Sequence, residues 1–495
     1  MPFLHFDWLS HQAVPNTKQN EDTGKNMKGP TTPLRMASLL RRIPFALEKK
    51  TSSRYREFSV HRSLIGCELN IHSIETAKAL LLTHFPLRYK PLVSLLRATL
   101  RHRVMIVADG EDWQRTHDAI NPEFHVGLVT SQYAPTIKAV ADEAFAKLAH
   151  RTETTAIEIE VEPLMRAVTS SILGHVLFGQ ALPFEEGEYL EKTLGIATRA
   201  IQSGIPARIN TAMAAVLRPL NLAEHQPFVI PKAQRKAVEN IFDWIGPKID
   251  QAERATPVPP LLVSLKTRYA GRRPAQLKRC IAAEYVMLFI AGIETTAAAL
   301  TFAIVEIANN PEAREQATQE ARQEPTDGIG NLTLAARYPY MHCVFRETLR
   351  RHTIVPTMLR EAETEYEISG EEPARGSRET VRIRKGSTLR CLPIQGHMRP
   401  NLWADPRSFD PLRFARALTA QTINYIPFGF GPQKCPGHAM ATTEAVLILL
   451  AFFKRFDVEV RETAHSISVE RNAVFTNRPV GVTAQLRAAR MDLEN

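Results

Sequence analysis

Residues 276–309 form a helix-compatible segment whose centre, VMLFIAGIETTAAALTFAIVEIA, is apolar on every face. A surface helix carries one apolar stripe, whereas a helix apolar all round runs through a core. Such a segment needs other elements on every side, so it belongs in a large domain. The 495 residues, 44% of them hydrophobic, are enough to build one. Asn309, Asn310 and Pro311 close the segment. No membrane span is expected, because the longest unbroken apolar stretches, Tyr285–Ile293 and Ala445–Phe453, fall far short of the ~20 residues a span needs.

Further helix-like patterning covers roughly 74–83, 111–120, 129–150, 161–178, 233–253, 311–323 and 340–351. Short alternating runs around 57–72 and 364–391 read as strands. The proline-rich 255–262, ATPVPPLL, reads as a loop between helices. The expected fold class is mainly α with small β-sheets, as a single large domain over 36–495. Residues 1–35 read as a flexible, turn-rich tail with no transmembrane anchor. The start, MPFLHFDWLSHQ, lacks the basic beginning and long apolar centre of a signal peptide.

The net charge is +10, spread along the chain without a basic block. This suits a solvated basic surface, an acidic protein partner or an anionic membrane. No nucleic-acid motif is present, so nucleic acid is not an expected partner. The five cysteines, Cys67, Cys280, Cys343, Cys391 and Cys435, are odd in number and widely spaced. They form no disulfide framework and suit a reducing compartment.

Cys435 stands apart from the other four. It lies in FGFGPQKCPGHAMA, ahead of an apolar helix-like run. Proline favours the first helical position, which would make Cys435 the N-cap, with backbone N–H groups and the helix dipole favouring a thiolate. Glycines at 429, 431 and 437 allow a tight turn and let a flat ligand approach the backbone. A thiolate so placed could be a nucleophile or a metal ligand, and a buried inert thiol is the plain alternative.

Phe428, Gly431, Cys435 and Gly437 spell F-x-x-G-x-x-x-C-x-G, which resembles the haem-binding loop of the cytochrome P450 family. Gln433 stands where that family usually has Arg or His, with Lys434 beside it. Further stretches strengthen the resemblance. Glu347 and Arg350 match E-x-x-R, and FDPLRF matches F-x-P-E-R-F with Arg413 in place and Leu412 for the glutamate. HMRPNLWADPRSF matches the run that precedes it. Trp113 matches the W-x-x-x-R helix, with His117 where arginine is usual. Ala291 to Thr296, AGIETT, matches A/G-G-x-D/E-T-T/S.

The resemblance implies haem b between a long distal helix and a proximal cysteine-loop helix, with Cys435 as the iron ligand. It implies propionate contacts from Trp113, His117, Arg360 and Lys434, and a structural cluster of Glu347, Arg350 and Arg413. Glu294 and Thr295 would relay protons, an acid–alcohol pair well suited to that task. The pocket would be lined by Ala291, by Val355 and Met358, and by a C-terminal turn, Val474–Thr476, that includes Phe475. The implied activity is a monooxygenase that hydroxylates or epoxidises a mainly apolar small molecule, such as a secondary metabolite, terpenoid, polyketide or fatty-acid-like compound. A haem-thiolate enzyme without oxygen insertion (isomerase, coupling enzyme or peroxygenase), a non-catalytic haem sensor or carrier, and a non-haem cysteine enzyme, for which no cysteine–histidine motif is present, are the alternatives. Electrons would come from NAD(P)H through a separate reductase or ferredoxin. The implied protein is a monomer, cytoplasmic or at most peripheral to the endoplasmic reticulum membrane.

Overall fold

A computed structural model describes residues 51–495 apart from 55–56, 64–65, 84–86, 89–99, 101, 181, 184–185, 187–188, 190–191, 194–229, 324–332, 373–375, 417–423, 464–465, 472–475 and 490–495. The chain divides into units Met1–Lys49 and Lys50–Asn495, and the described residues all belong to the second. The tail expected over 1–35 lies outside the described residues, as do Val474 and Phe475 of the expected pocket.

The core is a stack of helices. The principal ones are α1 (Ile74–Thr83), α2 (Gly110–Ile120), α3 (Ala134–Thr152), α4 (Val161–Phe178), α5 (Lys232–Glu253), α6 (Pro260–Arg268), α7 (Pro274–Asn309), α8 (Pro311–Arg322), α9 (Pro339–His352), α10 (Pro393–His397) and α11 (His438–Phe453). Helix α7 is the 36-residue centre, packed on α4, α5, α9 and α11. By length and composition it could cross a membrane, but 67% of its most apolar window is buried within the protein, so it serves as core. Asn310 separates it from α8, accepting a hydrogen bond from the Ala313 amide while Pro311 fills the first helical position. The loop expected over 255–262 is shorter than that. Helix α6 begins at Pro260 because proline tolerates the first turn, where its missing N–H has no partner to lose.

Thirteen strands among the described residues form small sheets: β1 (Thr51–Arg54), β2 (Phe58–Ser63), β3 (Gly66–Ile71), β4 (Leu87–Arg88), β5 (Ile157–Glu160), β6 (Met358–Glu361), β7 (Tyr366–Glu372), β8 (Ser377–Ile383), β9 (Thr388–Cys391), β10 (Phe456–Val460), β11 (Ser468–Arg471), β12 (Asn477–Val480) and β13 (Thr483–Ala488). The largest sheet runs β1-β2-β3-β9-β6-β4. Its β3–β9 pair is parallel and its other pairs are antiparallel. In register, Met358 faces Cys391 and Arg360 faces Leu389, and Met358 packs on the cluster that this sheet shares with Ala77 and Leu80 of α1. The mainly α fold with small sheets expected from the sequence is the fold observed.

Candidate functional site

The cysteine turn is built by backbone hydrogen bonds. The Cys435 amide donates to the Phe428 carbonyl at 2.9 Å, Lys434 to Gly431 at 3.0 Å, and Gly429 to Ile426 at 3.1 Å. Gly429 and Gly431 have φ of 79° and 74°, the left-handed region that a side chain would strain. Helix α11 starts later than the sequence suggests. Its N-cap is Gly437, not Cys435, because Pro436 and Gly437 form an intervening turn. Cys435 therefore lies two residues ahead of the cap. Its carbonyl accepts from His438 Nδ1 at 3.1 Å, which fixes that ring's tautomer, since a carbonyl cannot donate.

Cys435 is an exposed residue, whereas Cys280, Cys343 and Cys391 are buried. Crowding by surrounding protein nevertheless pushes the Cys435 pKa above the ordinary thiol value, with the Gly437 amide and Lys434 pulling weakly the other way. Cys435 is not itself the N-cap that the sequence suggests, yet the amide of the actual cap, Gly437, is directed at its sulfur.

Around this turn lie three elements. Met358 Sδ is 3.6 Å from where a Cβ on Gly429 would stand, and Leu82 of α1 is equally close to Gly431. Lys78 of α1 sits 4.6 Å from the centroid of the Phe430 ring. Phe428 faces His438 with ring centroids 6.2 Å apart.

Several buried side-chain polar atoms make no hydrogen bond among the described residues, and two of them belong to residues that the resemblance implies at the propionates. His117 Nδ1 and Arg360 Nε make no hydrogen bond among the described residues, although Arg360 Nη1 reaches the Leu359 carbonyl at 2.9 Å and His117 Nδ1 lies 3.5 Å from Asp118. Trp113 and His117 share one face of α2 with rings 4.8 Å apart. Burial pushes the Arg360 guanidinium below its usual range, opposed by Cys391 and by Asp109, the N-cap of α2. Buried cationic or imidazole donors left unpaired are costly, and an anionic ligand would satisfy them.

Behind the cysteine turn, Glu347, Arg350 and Arg413 meet. Arg350 and Glu347, both fully buried, make a bidentate pair at 2.7 Å on each arm. Arg413 Nε adds a bond to Glu347 at 3.2 Å and the Asp410 amide another at 3.1 Å. Arg350 Nη1 donates to the His397 carbonyl at 2.9 Å, and its guanidinium lies 5.3 Å from the Trp403 ring centroid. Every part of the pair is hydrogen-bonded, the condition under which buried charge is tolerable.

His397 carries this cluster to the cysteine turn. Its Nε2 accepts from the Ile426 amide at 3.1 Å, so the proton sits on Nδ1, which reaches Thr353 Oγ1 at 3.0 Å. Burial, then the Arg350 charge, pushes its pKa down to about 3. Thr353 itself is buried with φ 31°, a strained conformation for a β-branched residue, held between α9 and the loop that leads to β6. The sequence alone assigns His397 no role. Its one signal is its place at the head of HMRPNLWADPRSF, the stretch that leads into Arg413 of the charge cluster.

On α7, Thr295 Oγ1 donates to the Ala291 carbonyl at 2.7 Å, one turn back. Glu294 accepts from Thr476 Oγ1 at 3.0 Å. A Cβ on Gly292 would come within 3.1 Å of Leu173 of α4, so the two helices approach closely there. Helix α7 also packs on α11, the helix that follows the cysteine turn.

The long buried helix, the glycine-rich cysteine turn and the buried Glu–Arg–Arg cluster thus stand in one mainly helical unit. The family model for cytochrome P450 matches residues 40–485. Similar curated proteins include the probable cytochrome P450 6a14 of Drosophila melanogaster, 22% identical over 72% of this chain and 71% of its own length. They also include the probable cytochrome P450 6a13 of the same fly, 24% identical over 71% and 69%, and cytochrome P450 6B5 of Papilio glaucus, 22% identical over 71% and 74%. The chain belongs to the cytochrome P450 family. It is accordingly a haem monooxygenase that takes electrons from NADPH through a reductase and acts on a small molecule.

Proposed function

We propose that this monooxygenase hydroxylates or epoxidises a mainly apolar small molecule, a secondary metabolite, terpenoid, polyketide or fatty-acid-like compound, with Cys435 as the proximal ligand of haem iron. The observation that carries the site assignment is the pair of unpaired buried donors, His117 Nδ1 and Arg360 Nε, in a protein whose exposed cysteine lies in a glycine-cradled turn. A flat group with two carboxylates and a metal answers all three features. Trp113, His117 and Arg360 would hold the propionates, with Lys434 beside the turn, while Phe428, Gly431 and Gly437 shape its floor.

Haem held by a thiolate supplies dioxygen activation. The chain supplies the rest. Cys435 would hold the iron through its sulfur, with the Gly437 amide beside it. Thr295 Oγ1 holds a proton now directed at the Ala291 carbonyl, and Glu294 is the neighbouring carboxylate that can replenish it. Glu347, Arg350 and Arg413 act on structure, fixing the turn through His397. Ala291, Val355 and Met358 would face substrate, and their apolar character is what favours an apolar compound. Net charge of +10 favours docking to an acidic reductase or an anionic membrane face, as a monomer in the cytoplasm or peripheral to the endoplasmic reticulum.

The test is the absorption spectrum of the dithionite-reduced protein under carbon monoxide. A strongly red-shifted Soret band in wild type, lost in Cys435→Ala together with turnover, is expected. A Cys435→Ala protein that keeps band and turnover would sink the assignment. Spin-state shifts on titration with terpenoids and fatty acids, against polar controls, then test the substrate class.

A further inference from the structure

We propose that Thr476 is a positioning residue for proton delivery, holding the Glu294 carboxylate from the residue that precedes β12. The inference rests on the assignment of Glu294 as the relay acid and adds a residue to it. Thr476 is 2% exposed, and its Oγ1 lies 3.0 Å from Glu294 Oε1. A threonine hydroxyl donates to a carboxylate and accepts from a carboxylic acid, so this contact survives both protonation states of a group that passes protons. Glu294 and Thr295 are adjacent on α7, yet they point to different partners: Thr295 to the Ala291 carbonyl, Glu294 to Thr476. The acid is thus held from outside its own helix.

Thr476 is in turn held by its neighbours. Asn477 donates its amide to the Ile354 carbonyl at 2.7 Å, and its Nδ2 to the Thr353 carbonyl at 3.0 Å and the His352 carbonyl at 3.3 Å. Arg478 donates from Nε and Nη2 to the two oxygens of Glu162 at the start of α4, at 2.9 and 3.1 Å. Three consecutive residues therefore grip α7, the end of α9 and α4. The grip on residues 352–354 is directly upstream of Val355 and Met358. A substrate that shifts the segment after α9 would shift the hydroxyl that aims Glu294, which couples proton delivery to occupancy.

The test compares wild type with Thr476→Val, Thr476→Ser and Glu294→Gln. Two readouts are taken on protein whose carbon monoxide Soret band is that of a thiolate-ligated haem. One is the infrared C–O stretch of the carbon monoxide adduct, which reads the polarity of the distal side without turnover. The other is the reoxidation rate of reduced protein in air-saturated buffer across pH, in H2O and D2O. Thr476→Val is expected to shift the stretch and to slow proton-dependent reoxidation about tenfold, the size of one lost hydrogen bond to a charged group. Glu294→Gln should do the same, and Thr476→Ser should return both readouts to wild type. A Thr476→Val protein with wild-type stretch and pH profile, beside an impaired Glu294→Gln, overturns the role of Thr476 and leaves the relay standing. A Glu294→Gln protein that behaves as wild type overturns the relay and the inference together. Loss of both readouts in Thr476→Ser as well as Thr476→Val would assign the effect to packing and also overturn it. Absence of the thiolate band in wild type would instead defeat the haem-ligand assignment.

Discussion

Thr295 and Gly431 show how much a single atom decides in this site. The Thr295 hydroxyl is bonded to the carbonyl one turn back, so its proton is held within the long helix rather than on a neighbouring element. Thr295→Ala removes that proton while leaving haem contacts untouched. The expected outcome is normal haem content and NADPH oxidation, with hydrogen peroxide released in place of product, measured by comparing electrons consumed with product formed. Unchanged coupling would route the protons through another group. Gly431 has φ 74°, and a Cβ there would meet nothing closer than Leu82 at 3.6 Å. Gly431→Ala should therefore cost backbone strain of about 1–2 kcal/mol and not a clash, seen as a lower urea midpoint. At this scale the sequence is legible where residue type fixes a contact, as with Glu347, Arg350 and Arg413, which meet as expected. It is not legible where the path of the backbone decides. The proline after Cys435 suggests an N-cap, yet Pro436 and Gly437 make a turn of their own and the helix begins at His438.

Elements bring residues together that are far apart in the chain. The charge cluster draws Glu347 and Arg350 from α9 and Arg413 from the short 3-10 turn at Pro411–Phe414, then reaches the cysteine turn through His397 at the end of α10. Removing one member leaves the others buried and unpaired. Glu347→Gln should destabilise the protein by about 3–5 kcal/mol, and it should lower haem retention because the Ile426–Cys435 turn loses its anchor. Chemical denaturation and the ratio of haem to protein absorbance measure the two effects. His397→Ala, which spares the ion pair, should reduce haem retention with the smaller cost of one orphaned Ile426 amide, about 1–3 kcal/mol. Helix α7 is readable because its centre is apolar all round, and α4 because its pattern spans 161–178, the observed bounds. The start of α6 escapes a sequence reading because a proline pair looks like a loop from either side. The grip of residues 476–478 on three elements escapes it too, since no local pattern marks a contact between residues 182 positions apart.

Over the whole molecule, buried titratable groups set a pH optimum for stability. Burial pushes His102 down to about 4, opposed by Asp112 and aided by Arg272 and Arg268. Burial likewise holds His342 at about 4 and His397 at about 3. In the unfolded chain these rings protonate below their ordinary value of 6.5, so folding gains stability as pH climbs from about 4 to that value. Two acids act in the opposite sense. Glu284 of α7, bonded to Tyr269 Oη at 2.7 Å and the Met105 amide at 3.1 Å, is pushed by burial up to about 7. Glu444 of α11 is pushed by burial up to about 8. Thr169 faces Glu444, but neither its hydroxyl nor Glu444 Oε1 meets hydrogen-bond geometry, so burial decides. A carboxyl raised in the folded state contributes stability that is full below its unfolded pKa and is lost as pH rises through the folded one. The histidine gain ends near 6.5 and the carboxyl loss runs on past it, which places maximal stability close to that value. Between pH 6.5 and 8 the Glu444 contribution alone falls by about 2 kcal/mol. Glu444→Gln keeps the shape and removes the proton equilibrium, so its urea midpoint should fall less than that of wild type from pH 6.5 to 8.5. An equal fall in both proteins would mean that Glu444 is already ionised in the fold, with a counter-charge supplied to it.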